Sequence, residues 1–426
     1  MTERLGIVAD DLTGAVDTAG VFASTGMSTY VSLSLSAPSP GTAPEVLCVD
    51  SGTRYSTAHD AAARVRNATR ALQSAGCSRL YKKIDSTLRG HVAVETAAML
   101  DASEAPFALV APAFPAMGRT QRNGILCVDD TPLAEAVEGL DRMGRAPTSS
   151  VVELLAMQTG LRCGLVPLAD VEGGEDSVAA RTTALLDEGC TVIIFDAITT
   201  EHMRRIDAVM ANRFPTGLPV GSAGLASAMA LRVGRSPMPP VPAPTHTHRP
   251  VLIVSGSLNA VSLRQVDGAV TRPDVHEIRM NTDALLDSPG IADTEFERVL
   301  SQLQAALDAD LSPLLTWVTA PAHEASASHR ERSRRLNTAL SKLMGRMGPD
   351  VQDIGGLVLV WGDTAKAVLT GLGALGISMR SEIMPGISAG TIVGGEADSR
   401  PIIAKAGGFG NDDALLKALE YLQGKR

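Results

Sequence analysis

The chain has 426 residues, 45% hydrophobic and 20% charged, an ordinary globular composition that excludes a disordered chain. Lys+Arg 38 against Asp+Glu 47 leaves a formal charge of −9, and aromatics are 3%; this excludes a nucleic-acid surface spread over the whole protein or a stacking platform for single strands, but not a local anion site. No apolar run approaches the ~18 residues of a membrane span. Glu3, Asp10 and Asp11 stand where a signal peptide needs its apolar stretch, so a cytoplasmic protein with neither membrane nor nucleic acid as partner is expected.

At roughly 150 residues per domain, two or three domains fit this length. In chain order, LGIVA (5–9), EVLCV (45–49), RLYKKI (79–84), FALVAPA (107–113), CGLVPL (163–168) and TVIIFDA (191–197) read as strands. Ala-rich stretches at 57–75, 91–101, 177–188 and 201–213 read as helices. RSPMPPVPAPTHTHRP (235–250) carries six prolines in sixteen residues, which neither a helix nor a central strand accepts; it reads as a semi-extended linker. His246 and His248 alternate inside it with no carboxylate or cysteine nearby, so they read as solvated and not as a metal site. Beyond it, VLIVS (251–255), PLLTWV (313–318), GLVLVW (356–361) and PIIAKA (401–406) are predicted strands, with helices near 293–308, 332–346, 364–373 and 412–423. Strand–helix alternation implies βαβ units. The expected architecture is α/β, with two domains (1–234 and 251–426), each a mainly parallel sheet flanked by helices, and a substrate cleft between them. The five cysteines (Cys48, Cys77, Cys127, Cys163, Cys190) have no Cys-x-x-Cys spacing and read as small core residues.

In parallel α/β sheets ligands bind beyond the C-terminal strand ends, in the turns that lead into helices. The first such turn carries Asp10 and Asp11, then Thr13 and Gly14. One Asp suffices to cap a helix, and two adjacent acids repel; the pair points to hydrogen bonds with a hydroxylated ligand and to a general base. The second turn is CVDSGTR (48–54) and the third KKIDSTLRG (82–90). The chain has only seven lysines, and two are adjacent here. Arg54, Lys83 and Arg89, placed near the same sheet edge as Asp11, suit a small hydroxy acid: cations for its carboxylate, aspartates for its hydroxyls. The alternative is a solvated edge with a helix cap at Ser86 or Thr87. APAFPAMGRT (111–120) reads equally as a cleft loop or as a structural turn. In the second half SGSLN (255–259), WGDTAK (361–366) and KAGGFGNDD (405–413) form three glycine- or hydroxyl-rich strand exits. Helix N-termini and glycines admit phosphate, so together they point to a nucleotide-phosphate site.

Common fingerprints are absent or out of context. No P-loop motif occurs. GLGALG (371–376) ends a predicted helix where a dinucleotide site would open one, against a dehydrogenase. GISAG (386–390), with Ser388, leads into an apolar strand and not from strand to helix, against a hydrolase. The residues describe a domain for a small hydroxylated acid and a domain for nucleotide phosphates, the layout of a small-molecule kinase.

VADDLTGAVDTAG (8–20), KKIDSTLRG (82–90), APAFPAMGRT (111–120), VGSAGLA (220–226), SGS (255–257), GDTAKAVL (362–369), EIMPGISAG (382–390) and KAGGFGNDDAL (405–415) closely resemble the four-carbon acid sugar kinase family, in family order across nearly the whole chain. The resemblance implies ATP-dependent phosphorylation of a threonate-, erythronate- or oxo-tetronate-like acid, usually at the terminal hydroxyl. It implies sugar-acid contacts from Asp10, Asp11, Arg54, Lys83, Ile84, Asp85, Ser86, Thr87 and Arg89. Ser255, Ser257, Gly362, Asp363, Thr364, Gly407 and Gly408 are implied to contact ATP. Asp11, then Asp85, is the expected base, and Mg²⁺ is expected to arrive with ATP, with Asp363 a candidate for it or for a helix cap. A homodimer is possible. The alternative function is a sugar-acid-binding regulatory protein on a kinase-like scaffold. The sequence departs from the family pattern at Trp361, where a glycine is common, at Leu258–Asn259, where Cys-Ser is common, and at Val16, where a polar residue is frequent.

Overall fold

The computed structural model describes residues 3–34, 43–136, 148–235, 249–257, 259–318 and 327–424. Most of the Pro-rich stretch, including His246 and His248, lies outside the described residues, as does Leu258. The chain divides into two compact units, Met1–Met238 and Pro239–Arg426.

The first unit contains β1 (Arg4–Ala9), α1 (Leu12–Ser24), β2 (Thr29–Ser32), β3 (Val46–Asp50), α2 (Ala58–Ser74), β4 (Cys77–Lys83), α3 (Val92–Ser103) and β5 (Ala108–Ala111). A three-stranded antiparallel meander follows, β6 (Arg119–Arg122), β7 (Ile125–Val128) and β8 (Thr131–Pro132), then α4 (Val151–Thr159), β9 (Cys163–Val166), α5 (Leu168–Glu172) and α6 (Glu175–Asp187). The unit closes with β10 (Val192–Phe195), α7 (Thr200–Arg213), β11 (Leu218–Gly221) and α8 (Ala223–Val233). Its main sheet runs β2-β3-β1-β4-β11-β5-β10-β9, every pair parallel. Strands β3, β5 and β10 are buried at every residue, as a parallel sheet covered on both faces requires. Helices α1 and α5–α8 pack among themselves, and α2–α4 among themselves, forming the two covering layers.

Helix starts follow local chemistry: Asp11, Thr57, Ser150, Thr199 and Ser222 each accept from a first-turn amide. The alternative reading of a helix cap at Ser86 or Thr87 is not realised; α3 begins later, after His91. Strand β11 was not legible in the sequence, because Pro219 argues against a central strand. Its position resolves the conflict. Pro219 is in register with Leu109 of β5, while β4 pairs only with Val220 and Gly221, so the missing N–H falls where the second ladder has not begun.

The second unit contains β12 (Val251–Ser255), α9 (Ala260–Val270), β13 (Val275–Asn281), α10 (Thr282–Leu286), α11 (Pro289–Asp308), β14 (Ser312–Val318), α12 (Ala327–Met347) and β15 (Gly356–Val360). Then come α13 (Gly362–Gly371), β16 (Gly376–Met384), β17 (Ile387–Val393), β18 (Pro401–Lys405) and α14 (Ala414–Leu422). The strand order is β13-β14-β12-β15-β18-β17-β16, parallel as far as β18 and antiparallel from there. Val251, Ile253, Val358 and Ile403 pack with Leu415, Ala418 and Leu419 of α14 in its core. The β16–β17 hairpin absorbs GISAG into a strand, with Ser388 1% exposed, and Gly371 ends α13 as expected for GLGALG. Cys48, Cys77 and Cys190 are buried, whereas Cys127 and Cys163 are half-buried.

Candidate active site

In the first unit, β1 and β3 are adjacent and parallel, but the chain leaves β1 toward β2 on one side and β3 toward β4 on the other. Their carboxyl ends therefore flank a topological switch point, where parallel sheets leave a crevice. Ala9 is in register with both Asp50 and Lys83, so the turns after β1, β3 and β4 emerge together.

These turns are joined by charge-assisted hydrogen bonds. Arg54 Nε donates to Asp10 Oδ2 at 2.7 Å and Nη2 to Asp10 Oδ1 at 3.0 Å, a bidentate pair. Its Nη1 donates to Asp11 Oδ2, and Nη2 lies 3.4 Å from Asp85 Oδ2. Arg89 grips Asp85 with two donors, at 2.7 and 3.1 Å, and the Thr87 amide donates to Asp85 Oδ1 at 2.9 Å. Asp11 also caps α1 through the Gly14 amide at 2.7 Å. Lys83 Nζ donates to the Ile84 carbonyl at 3.1 Å. A Cβ on Gly14 would stand 3.0 Å from both Lys83 Nζ and Asp11 Oδ1, which places that ammonium beside Asp11.

Burial makes these charges strong. It pushes the Asp11 carboxyl up to about 7; Arg54 opposes the rise and the neighbouring Asp10 adds to it. At Asp10 burial is outweighed by the Arg54 guanidinium, with Lys82 and Lys83 helping, and the carboxyl stays below its ordinary value. Burial also raises Asp85, but Arg89 and then Arg54 hold it well below the usual carboxylate range. Two adjacent acids thus diverge: Asp10 is a fixed anion, and Asp11 can gain or lose a proton near neutrality.

Asp10, Asp11, Arg54, Asp85, Thr87 and Arg89 therefore form one bonded network, with Lys83 at its edge. The Ile84 side chain is 1% exposed and belongs to the core, while its amide donates to the Gly221 carbonyl at 2.9 Å. Ser86 is half-buried. Sequence reasoning passed over Lys82. Alternation along β4 turns it to the opposite face, where its Nζ lies 2.8 Å from Glu95 Oε2 of α3, both side chains essentially unexposed. The same Nζ donates to the carbonyls of Val8 (3.4 Å) and Lys83 (2.8 Å), the strand ends that carry the site.

The second unit repeats the topology. The chain leaves β12 toward β13 and the adjacent β15 toward β16, and Ser255, Val360 and Lys405 are in register at the carboxyl edge. The three turns touch. A Cβ on Gly256 would stand 2.0 Å from Thr364 Oγ1, and one on Gly407 would stand 2.7 Å from Ser257 Oγ. Gly408 lies near the Asn259 amide group, and Asn259 caps α9 through the Val261 amide at 2.9 Å. Helix α13 starts at Gly362 behind Trp361, whose side chain does not cap it, and Asp363 is half-buried in its first turn. Lys405, at the head of KAGG, is 2% exposed; its Nζ donates to the carbonyls of Ala406 (2.9 Å) and Gly407 (3.4 Å). Burial brings its pKa down to about 8. Its signal was in the sequence, a rare lysine opening a glycine-rich turn.

A family model described as a sugar-binding N-terminal domain matches residues 5–229, and one described as a nucleotide-binding C-terminal domain matches 252–415. The chain is 32% identical to a D-threonate kinase of Salmonella typhimurium over 98% of each chain. It is 33% identical to a D-threonate kinase of Bordetella bronchiseptica over 99% of this chain and 98% of that one. Identity to a D-erythronate kinase of Heliobacterium modesticaldum is 28%, over 98% and 96%. A crystal structure of a Salmonella typhimurium LT2 protein shares the fold, with a TM-score of 0.81 at 23% identity over 97% of this chain and 98% of that one. By these matches, which span both units, the chain belongs to the four-carbon acid sugar kinase family.

Proposed function

We propose that the protein transfers the γ-phosphoryl group of ATP to the terminal hydroxyl of a four-carbon acid sugar, with D-threonate the first candidate. The observation that carries this is the buried Asp10–Arg54–Asp11–Asp85–Arg89 network at a sheet switch point, where acceptors for hydroxyls and donors for a carboxylate converge. The preference for D-threonate rests on the higher identity to D-threonate kinases than to the D-erythronate kinase.

Lys83 and Arg89, with Arg54 between the aspartates, bind the substrate carboxylate. Asp10, held ionised, accepts from a hydroxyl and orients the sugar acid. Asp11 accepts the proton of the attacking hydroxyl; a base near pH 7 combines availability with driving force. In the second unit the hydroxyls of Ser255, Ser257 and Thr364, the amides of Gly362, Gly407 and Gly408, and the Lys405 ammonium fit a triphosphate chain by their chemistry. Asp363 fits an outer-shell contact to Mg²⁺. When bound, ATP supplies the phosphoryl group and Mg²⁺ neutralises its spreading charge.

The test is ADP release with Mg-ATP and D-threonate, L-threonate, D- and L-erythronate and the oxo-tetronates in parallel. D-threonate is expected to give the highest kcat/KM. Turnover with none of them overturns the reading.

A further inference from the structure

The chain has two tryptophans, Trp317 and Trp361, and both lie against the turns assigned above to the nucleotide. Trp317 sits near the carboxyl end of β14, beside β12. Its Nε1 stands 3.0 Å from where a Cβ on Gly256 would be, on the same glycine that Thr364 Oγ1 approaches. Trp361 follows β15. Its Cε3 and Cζ3 stand 2.5 and 3.0 Å from where a Cβ on Gly407 would be, next to Ser257 Oγ. Both residues are half-buried, so each indole is neither sealed in the core nor free in solvent.

Trp361 is also backbone-strained. It has φ 85 and ψ 134, a region that residues with a Cβ avoid and glycine enters freely. Such an outlier is energetically costly and persists where its surroundings hold it, most often at functional sites. The backbone does not need an indole there. Its N–H donates to the Lys405 carbonyl and its C=O accepts from the Ala365 amide, both at 2.9 Å, and a glycine would make both bonds. The backbone path thus sets this conformation whatever the side chain, the cost comes from carrying a Cβ there, and the ring that Cβ bears lies on the Gly407 turn.

We infer that the two indoles are direct walls of the nucleotide site: the Trp361 ring covers the Gly407–Ser257 side, and the Trp317 N–H stands as a donor on the Gly256–Thr364 side. The ligand class is a nucleoside di- or triphosphate, and the inference rests on the assignment of the nucleotide to the second unit. Half-buried indoles at a ligand wall change environment on binding, and no other tryptophan masks them.

The test is intrinsic tryptophan emission during an ADP titration of the full chain, with calorimetry on the same samples. A saturable change is expected at the calorimetric midpoint in the wild type. It is also expected in Trp317→Phe, which reports Trp361, and in Trp361→Phe, which reports Trp317. D-threonate alone leaves emission unchanged. Trp361→Gly, and Trp361→Phe should the glycine variant fail to fold, raises KM for ATP about tenfold. Emission that stays flat while calorimetry shows ADP bound overturns the inference and leaves the kinase reading standing. Absence of ADP binding by calorimetry overturns the nucleotide assignment, and this inference with it.

Discussion

At Asp11 burial, joined by the neighbouring Asp10, acts against Arg54, and burial prevails, bringing the carboxyl to about 7. A base must be deprotonated to accept a proton. Activity therefore falls as pH drops below about 7, tenfold per unit, and levels off above it. The expected kcat/KM profile for the sugar acid has an acid limb near 7; a flat profile down to pH 5 would remove Asp11 from the role. Asp11→Asn keeps a capping side chain for α1 but cannot take the proton, so kcat should fall by about 10²–10⁴-fold with ADP affinity unchanged by calorimetry. Lys405 shows the converse trade. Its folded-state pKa is depressed to about 8, so the unfolded chain binds the proton more tightly and the folded state is penalised below pH 8. The penalty fades as pH rises from 8 toward 10.5, and at pH 7 it is roughly 3 kcal/mol. Lys405→Met should therefore raise the Tm of the ligand-free protein at pH 7 while raising KM for ATP at least tenfold. A lowered Tm would show that the lysine stabilises the fold.

At the scale of elements, the strand ends do most of the positioning. Lys82 and Glu95 form a buried ion pair between β4 and α3, and Lys82 also ties the ends of β1 and β4. Desolvation offsets most of the attraction in such a pair, so replacing both partners with apolar residues is often neutral or stabilising, whereas removing one costs about 3–5 kcal/mol. Thermal melts should show Glu95→Leu well below the wild type and Lys82→Met/Glu95→Leu near it. If the pair also aligns the strand ends, the double variant loses turnover despite its Tm; wild-type kcat would make the pair structural only. Element boundaries were legible where local chemistry sets them: the helices expected at 57–75 and 201–213 run Ala58–Ser74 and Thr200–Arg213, behind the caps Thr57 and Thr199. They were not legible where pairing partners decide, as for β11 with its Pro219, or for the β16–β17 hairpin that runs through GISAG.

For the whole molecule, two ligands assigned to two units should raise the melting temperature independently. A ligand at 100 times its Kd stabilises by about 2.7 kcal/mol. ADP and D-threonate are each expected to shift the Tm. Arg54→Met, which removes the centre of the aspartate network, should abolish the D-threonate shift and keep the ADP shift. Loss of both shifts in a folded variant would contradict the assignment of the ligands to separate units.

Taken alone, the amino-acid sequence determined the alternation of buried strands and amphipathic helices, and hence parallel sheets. It also determined which residues occupy the turns beyond the strand ends. Both follow from local periodicity and turn chemistry, which a single stretch of chain carries in itself. Only the tertiary structure decided which turns meet. It put Arg54 between Asp10, Asp11 and Asp85, sent Lys82 to Glu95 while Lys83 stayed beside Asp11, and set Trp317 against Gly256. Those contacts join residues far apart in the chain. They depend on the order of strands in each sheet, which is fixed by how the elements pack together and not by any one of them.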